Sequence, residues 1–201
     1  MSAVLLAVLR PEDADVADFF AWYERDHVTG RMAMPGFLDA HRYVAADDPD
    51  LGLLIYELDS LDALSSPQYQ ALQAATNAAT QSRMGRLRTF VRVTGTVIQE
   101  YGAAHGVAPA LQVVAYAVPG DELADFDQWF RQVNAPALLA TRAGQGGRLV
   151  AVSESNTGWN RVAVHRLADR AALVNPAAAD RWQASSHYPV TAVDRFDRSP
   201  R

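Results

Sequence analysis

The chain has 201 residues, of which 49% are hydrophobic and 20% are charged, as in one or two globular domains and unlike a disordered segment. It contains no cysteine and no lysine, which excludes disulfide bonds, sulfur-ligated metals, thiolate nucleophiles and Schiff-base chemistry. Its formal net charge of -5 argues against non-specific binding to nucleic acid, because that binding requires a large positive surface.

The longest uninterrupted apolar run, residues 3–9, is far shorter than a membrane span. No basic segment precedes it and Arg10-Pro11 follows directly, so the run is a poor signal peptide and is typical of a buried strand. We therefore expect a cytoplasmic protein that has no membrane partner.

The elements predicted for the first half alternate between strands and helices. A helix is predicted over residues 13–27, because apolar residues from Val16 to Tyr23 recur at the spacing of one buried helical face. Ser66-Pro67 supplies an N-cap and a first-turn residue for a second helix, which is predicted to run to about residue 84. Strands are predicted at residues 4–9, 37–44, 51–58 and 90–98, which gives the βαββαβ order of a ferredoxin-like unit.

The second half repeats this order of elements. Strands are predicted at residues 111–118, 147–152, 160–167 and 190–196, with a helix at residues 123–134 and a shorter helix that begins at Asn175-Pro176. Residues 102–109 have the Gly, Ala and Pro content of a linker. The predicted domains are therefore a first repeat, residues 1–101, and a second, divergent repeat, residues 110–201.

Two short stretches of the first half recur in the second half at nearly the same offset. The recurring residues are Asp18, Phe19 and Trp22, matched by Asp125, Phe126 and Trp129, and Ala63, Leu64 and Pro67, matched by Ala172, Leu173 and Pro176. A single four-stranded sheet with helices on one face leaves its other face bare and apolar, and a second copy would cover that face. We therefore predict an α+β fold in which two tandem ferredoxin-like βαββαβ repeats form an intramolecular α/β barrel.

Aromatic and polar residues of the first half form a further pattern. They are Phe19, Trp22, Tyr23 and His27 on the first helix, Pro35-Gly36-Phe37 in the next turn, and Arg42, Tyr43 and Tyr56 on the strand pair. This pattern resembles the EthD-like members of the dimeric α/β-barrel superfamily, which usually builds its barrel from two separate chains. The resemblance implies small-molecule pockets between helices and sheet. It also implies a superfamily of cofactor-free isomerases, lyases, cyclases and monooxygenases, with some haem enzymes.

His27 is the first candidate for acid–base chemistry. It follows Tyr23 by four residues, so it shares the buried helical face and is expected to point toward the sheet. The C-terminus of a helix favours the charged imidazole and burial favours the neutral form, so we expect a pKa near neutrality. The alternative is a histidine that only satisfies the terminal carbonyl groups of the helix.

Tyr56 and His41 complete the predicted catalytic set. The Tyr56 hydroxyl, on the third strand, would need a partner such as His27 or a ligand, unless the side chain serves core packing alone. His41 lies on the second strand, and Arg42 points to the other face of that strand. Arg42 would bind a substrate carboxylate or pair with Glu57, and we favour the ion pair slightly.

The predicted substrate-binding residues come from both halves. By the offset of the repeat, Asn134 corresponds to His27 and His165 corresponds to Tyr56, so a second pocket, which we expect to be degenerate, would form around them with Trp159 and His187. In the first half, the expected substrate-binding residues are Trp22, Tyr23, Phe37 and Arg42. No metal site is predicted, because no histidine pair has the helical spacing of metal ligands and no sulfur ligand exists.

This set favours a cofactor-independent acid–base enzyme, of isomerase, lyase or cyclase type, that acts on a small, largely apolar or aromatic molecule. His27 would be the general acid or base, Tyr56 a donor to a developing oxyanion, and His41 or Arg42 an orienting group. The alternatives are a monooxygenase, either cofactor-free or dependent on haem, and a non-catalytic small-molecule binding protein. A homodimer of such barrels is compatible with this architecture but is not required to bury the sheets.

Overall fold

The computed structural model describes residues 1–12, 16–169 and 190–198, the last of these by their backbone alone. All neighbouring strands are antiparallel, and they close a barrel in the order β1-β3-β2-β8-β5-β7-β6-β4. The strands are β1 (Ala3–Pro11), β2 (Phe37–Ala45), β3 (Gly52–Leu58), β4 (Leu87–Gly102), β5 (Ala110–Tyr116), β6 (Gly144–Ser155), β7 (Arg161–Leu167) and β8 (Val190–Arg198). The predicted α+β class is confirmed.

The strand order within each half is that of a ferredoxin-like sheet. The first half runs β4-β1-β3-β2, and the second half runs β8-β5-β7-β6 in the corresponding positions. The halves meet along β4 and β6, whose ladder extends from Val93–Ser155 to Gly102–Gly146. They meet again along β2 and β8, where the described residues form three pairs, from Tyr43–Arg198 to Ala45–Phe196.

The helices lie outside the barrel. In the first half they are α1 (Val16–Trp22), a π-helical turn (Tyr23–Val28), α2 (Thr29–Met32), α3 (Pro67–Ala74) and α4 (Ala78–Gly85). In the second half they are α5 (Leu123–Trp129), a π-helical turn (Phe130–Asn134) and α6 (Ala135–Leu139). The helix predicted at Asn175-Pro176 lies outside the described residues. Among the helices that are described, none is both long enough and apolar enough to cross a membrane.

The helix predicted from Pro67 to about residue 84 is in fact two helices. The Ser66 side chain caps α3 by accepting from the backbone N–H of Tyr69 at 3.2 Å, as its sequence position predicts. The Asn77 side chain then caps α4 by accepting from the backbone N–H of Thr80 at 2.8 Å. Asn77 has the extended backbone of an N-cap residue, so a single helix cannot continue through it, and α3 and α4 are separate.

Strand alternation divides the side chains into an interior set and a helix-facing set. On β3, Leu53 and Ile55 point into the barrel, whereas Leu54 and Tyr56 point outward to the helices. Both halves contribute to the interior, which includes Val4, Leu6, Val93, Val113, Val150 and Val164. The interior is therefore a packed core, and the space available to a ligand lies between the sheet and the helices.

An ion pair crosses the barrel interior and joins the two halves. Glu57 lies opposite Val4 and Arg148 lies opposite Val164, so both side chains are on the interior face. Arg148 donates to both carboxylate oxygens of Glu57, with a distance of 2.6 Å from Nη2 to Oε1. The Arg148 side chain is only 6% exposed. These residues are 91 positions apart in the sequence, and the barrel brings them together.

Replacing Glu57 with Gln is expected to lower the free energy of unfolding by about 2 kcal/mol, because Arg148 would remain buried without its counter-charge. Urea unfolding of the two proteins measures this difference. Glu154→Gln is the matched control, since the Glu154 carboxylate is 75% exposed and 3.5 Å from Arg92. Its expected change is less than about 0.5 kcal/mol. Equal losses in the two variants would contradict a structural role for the interior pair.

Candidate active site

The first helix contains a π-helical turn, Tyr23–Val28, which carries His27. The second half has a π-helical turn in the matching place, Phe130–Asn134, and Asn134 lies at its end. Such turns are rare and occur often at functional sites, because the extra residue changes the direction in which neighbouring side chains point. The helical periodicity of the sequence predicted a helix in both places but not this local widening.

His27 borders a cleft of about 210 Å³ between the first helical segment and the junction of α3 and α4. One wall is formed by Trp22, Asp26, His27, Gly30 and Arg31, and the opposite wall by Leu72, Gln73, Ala75, Thr76, Asn77 and Thr80. The first wall supplies an aromatic ring, an imidazole, a guanidinium group and the carboxylate of Asp26, which is paired with Arg25. The second wall supplies mostly uncharged polar groups. Such a lining suits a small molecule that has both an apolar body and a polar or anionic group.

The His27 imidazole is half-buried and neutral at pH 7. Burial, and to a lesser extent the charge of Arg31, lower the pKa of His27 to about 3. The expected pKa near neutrality is therefore not found. The reason is that the helical segment continues through α2, so His27 does not lie at a helix C-terminus, where the dipole would favour the charged form. Its ring centre is 4.2 Å from that of Tyr23 and 5.9 Å from that of Trp22.

Arg31 is a site residue that the sequence reasoning did not identify. Its Nη1 donates to the backbone carbonyl of His27 at 3.4 Å, and its guanidinium carbon is 5.9 Å from the ring centre of Tyr69. Among the described residues, no carboxylate forms an ion pair with it. The available signal was its position four residues after His27, which places both residues on one side of a helix. Arg31 brings a positive charge to the cleft, and the Asp26 carboxylate on the same wall is paired with Arg25 instead.

A cluster of tyrosines lies beneath the cleft. Burial raises the pKa of Tyr23 and that of Tyr56, and each of these side chains also influences the other. The Tyr56 hydroxyl nevertheless lacks a hydrogen bond of normal geometry to any described residue. Phe37 packs against Tyr56 and stacks on Tyr69, with ring centres 6.0 and 5.4 Å apart. Tyr56 is thus linked to His27 through the Tyr23 ring and does not line the cleft itself.

His41 is not brought together with His27 and Tyr56. It lies opposite Ile55 on the interior face of the sheet, whereas Tyr56 is on the helix-facing side. Its Nε2 is 3.1 Å from Oδ2 of Asp39. The sequence analysis proposed His41 as an orienting group beside His27 and Tyr56, but strand alternation places it on the opposite face of the sheet from Tyr56.

The preferred pairing of Arg42 with Glu57 is wrong. Arg42 lies on the helix-facing side of β2, where its Nε donates to Oε1 of Glu24, and its guanidinium carbon is 4.9 Å from the ring centre of Phe20. Glu57 points to the other face and pairs with Arg148. Arg42 therefore anchors the first helical segment to the sheet and does not line the His27 cleft.

The second half places His165 and Asn134 against one aromatic residue. The His165 imidazole stacks on Phe130 with ring centres 6.1 Å apart, and Asn134 is buried one turn after Phe130 on the same helical segment. The hydroxyl of Tyr101 is 2.6 Å from Nδ1 of His165. The placement expected for Trp159 is wrong, because this side chain packs against the barrel interior. His187 lies outside the described residues.

A second cleft, of about 260 Å³, opens on the other side of α3. Tyr69, Arg92 and Thr94 line it, and the amide nitrogen of Gln73, which borders both clefts, donates to the Tyr69 hydroxyl at 2.8 Å. Within the described part of the chain, no group of three or more His, Asp or Glu side chains is arranged to hold a metal ion.

No protein-family model and no curated protein matches the chain. Solved structures do match it over nearly its whole length. An anthrone oxidase-like protein has a TM-score of 0.68 at 8% identity, over 99% of this chain and 92% of that one. A mutant chlorite dismutase from Candidatus Nitrospira defluvii, in complex with cyanide, has a TM-score of 0.62 at 12% identity, over 99% and 91%. A heme-degrading enzyme from Listeria monocytogenes has a TM-score of 0.52 at 9% identity, over 98% and 99%.

The TM-scores show that these proteins share a fold with the chain. Their low sequence identities carry no argument about substrate or reaction. The membership of a particular branch, including the EthD-like one, stays a prediction. With its barrel of two ferredoxin-like sheets and its outer helices, the chain has the fold of the dimeric α/β-barrel proteins.

Proposed function

We propose that this protein is a cofactor-independent enzyme that binds a small aromatic or apolar anion in the His27 cleft and removes a proton from it. One observation carries the proposal: the cleft places a neutral imidazole next to Arg31, whose charge no described carboxylate balances. Arg31 would hold the anionic group of the substrate through its planar guanidinium, and Trp22 would pack against the apolar body.

Substrate binding would also activate His27. A histidine whose pKa is about 3 is a weak base, and part of its low pKa is due to the charge of Arg31. An anion bound to Arg31 offsets that charge and favours the protonated imidazole, so it raises the pKa of His27 toward the range useful for catalysis. The proton leaves a carbon or oxygen of the substrate and moves to the imidazole. Arg31 then stabilises the negative charge that remains on the substrate.

Isomerisation, elimination and cyclisation share this first step, and so does a cofactor-free oxygenase, in which dioxygen reacts with the deprotonated substrate. The oxygenase is the second candidate because it begins with the same proton removal, and an anthrone oxidase-like protein shares the fold. Tyr56, one layer below the cleft, would support the reaction through Tyr23 instead of contacting the substrate.

The haem-dependent alternative fits the described residues poorly. The His27 cleft, at about 210 Å³, suits a molecule with a single aromatic ring and is too small to enclose a haem macrocycle. His165 is fully buried, and its Nδ1 is already 2.6 Å from the Tyr101 hydroxyl. We therefore derive no step through haem, although a heme-degrading enzyme shares the fold. A Soret band that appears when haem is added would support the haem-dependent alternative.

Solvent-deuterium exchange tests the proposal before the natural substrate is known. Phenylpyruvate and benzoylacetate each combine an aromatic ring, a carboxylate and an acidic C–H bond, and proton NMR in D₂O follows the loss of that hydrogen. We expect the protein to accelerate exchange above the spontaneous rate for compounds of this class. Exchange accompanied by oxygen uptake would identify the oxygenase. Binding with neither exchange nor uptake would overturn the proposal in favour of a binding protein.

We also infer that the chain arose by duplication of one βαββαβ unit, with repeats at residues 1–101 and 110–201. The equal strand order of the halves and the matching π-helical turns support this inference. The ladders support it residue by residue, because Tyr56 and His165 occupy the same position in their respective sheets. The cytoplasmic location and the homodimer stay predictions.

A further inference from the structure

The second half carries polar residues at positions where the first half carries apolar ones. On the helix-facing side of the first sheet, Tyr56 lies opposite Leu5 and Ala40. At the corresponding place in the second sheet, His165 lies opposite Gln112 on β5 and Gly147 on β6. The fold therefore tolerates an apolar residue, Leu5, at the position that corresponds to Gln112, and its stability does not require the amide there.

Gly147 makes room for a hydrogen bond that crosses a strand. It pairs with His165 on one side and with Tyr101 of β4 on the other. A Cβ atom at this position would lie only 2.5 Å from the Tyr101 hydroxyl. Because glycine leaves this space open, the Tyr101 side chain extends over β6 and brings its hydroxyl to 2.6 Å from Nδ1 of His165.

Two amide oxygens beside this pair lack donors. Oε1 of Gln112 and Oδ1 of Asn134 are buried and accept no hydrogen bond from any described residue, although the two side chains are only 2% and 6% exposed. Buried polar atoms are nearly always satisfied, and an unsatisfied one indicates a missing partner. Gln112 lies directly opposite His165, and Asn134 follows Phe130, which stacks on His165. Both oxygens thus belong to the surroundings of one imidazole.

We propose that the second half contains its own small-molecule site, distinct from the His27 cleft, which binds a neutral aromatic molecule through a hydroxyl or amide N–H group. The oxygens of Gln112 and Asn134 would accept from that group. Phe130 and the neighbouring Phe126 supply the aromatic surroundings that the body of the ligand would contact.

The chemistry of this set selects a neutral ligand. Burial lowers the pKa of His165 to about 4, so the imidazole is neutral at pH 7. Gln112, Asn134 and Tyr101 are uncharged as well, because burial also raises the pKa of the Tyr101 hydroxyl. None of the described side chains beside His165, Gln112 and Asn134 would supply a counter-charge to a buried charged ligand, and burial without one is unfavourable. The His27 cleft, with Arg31 on its wall, has the opposite preference.

Phenol and toluene are the probes, because they have almost the same size and differ by the hydroxyl group. The full chain is titrated with each at pH 7, and the imidazole resonances of its five histidines are followed by NMR. A His165→Tyr variant, which installs the residue found at position 56, assigns the His165 signal. We expect phenol to shift the His165 resonance saturably and with an affinity at least about fivefold higher than that of toluene.

Gln112→Leu installs the first-half residue at the same ladder position, so it should fold. We expect it to remove most of the preference for phenol over toluene. A His165 signal that responds to neither probe would show that only ordered water occupies the site and would overturn the proposal. Equal responses to both probes, or an unchanged preference in Gln112→Leu, would also overturn it. None of these results depends on the His27 signal, so the proposed function is tested separately.

Discussion

A His27→Asn variant is expected to fold normally and to lose solvent-exchange activity by about two to four orders of magnitude, the usual contribution of a positioned proton-transfer group. It should fold because Asn134 already occupies the matching π-helical turn of the second half. It should lose activity because an amide side chain cannot accept the proton that the imidazole accepts. Exchange rates and thermal unfolding of the two proteins measure both effects.

His105→Asn is the matched control for this experiment. His105 is 68% exposed, lies 3.1 Å from a carboxylate oxygen of Glu100 and is remote in sequence from the cleft residues. We expect its exchange rate to equal that of the unmodified protein. If His27→Asn retains full activity, His27 is not the base; if it fails to fold, the histidine has a structural role.

Stability is expected to fall by about 4 kcal/mol between pH 8 and pH 5, as the two buried histidines oppose protonation. The pKa values of His27 and His165 are lowered to about 3 and about 4, whereas both residues titrate near 6.5 in the unfolded chain. Between these values the unfolded state binds more protons, so the free energy of unfolding rises with pH. The stabilisation from each neutral histidine is fully present above about pH 6.5, and about 2 kcal/mol of it is lost by pH 5.

Urea unfolding at pH 8 and at pH 5 measures the loss, and the choice of this window avoids most carboxylate titration. His27→Asn removes one of the two titrating groups. The difference in unfolding free energy between pH 8 and pH 5 should therefore be about half as large in this variant. A difference between pH 8 and pH 5 that is the same in His27→Asn as in the unmodified protein would show that His27 is not held in its neutral form.

The positions of the strands could be predicted from the sequence, but which face of each strand points into the barrel could not. Short apolar runs bounded by turn residues located the strands, because such runs depend only on neighbouring residues. The recurrence of Asp18, Phe19 and Trp22 predicted a second unit of the same kind. Strand alternation cannot specify which face is inside the barrel, since both faces are covered. The partner of Arg42 was therefore predicted wrongly, and the pairing of Glu57 with Arg148 was not foreseen.

The candidate site was predicted in part. His27, Trp22 and Tyr23 do lie together, because residues four or five apart share a helical face. Arg31 was missed although it follows His27 by one turn, since an arginine in a helix is most often solvated. Gln112 was missed for a different reason. Its importance derives from being buried opposite His165, and that contact depends on strand register, which a single sequence does not specify.

The most direct test of the account is an NMR titration of the His27 imidazole with benzoate, which carries an aromatic ring and a carboxylate. The account predicts saturable binding that raises the pKa of His27, and an affinity at least about tenfold lower in Arg31→Met, which lacks the charge but keeps a long side chain. Toluene, which has the ring without the carboxylate, should leave the His27 pKa unchanged. If benzoate leaves the His27 resonance unchanged, or binds Arg31→Met as tightly as the unmodified protein, the cleft is not the anion site described here.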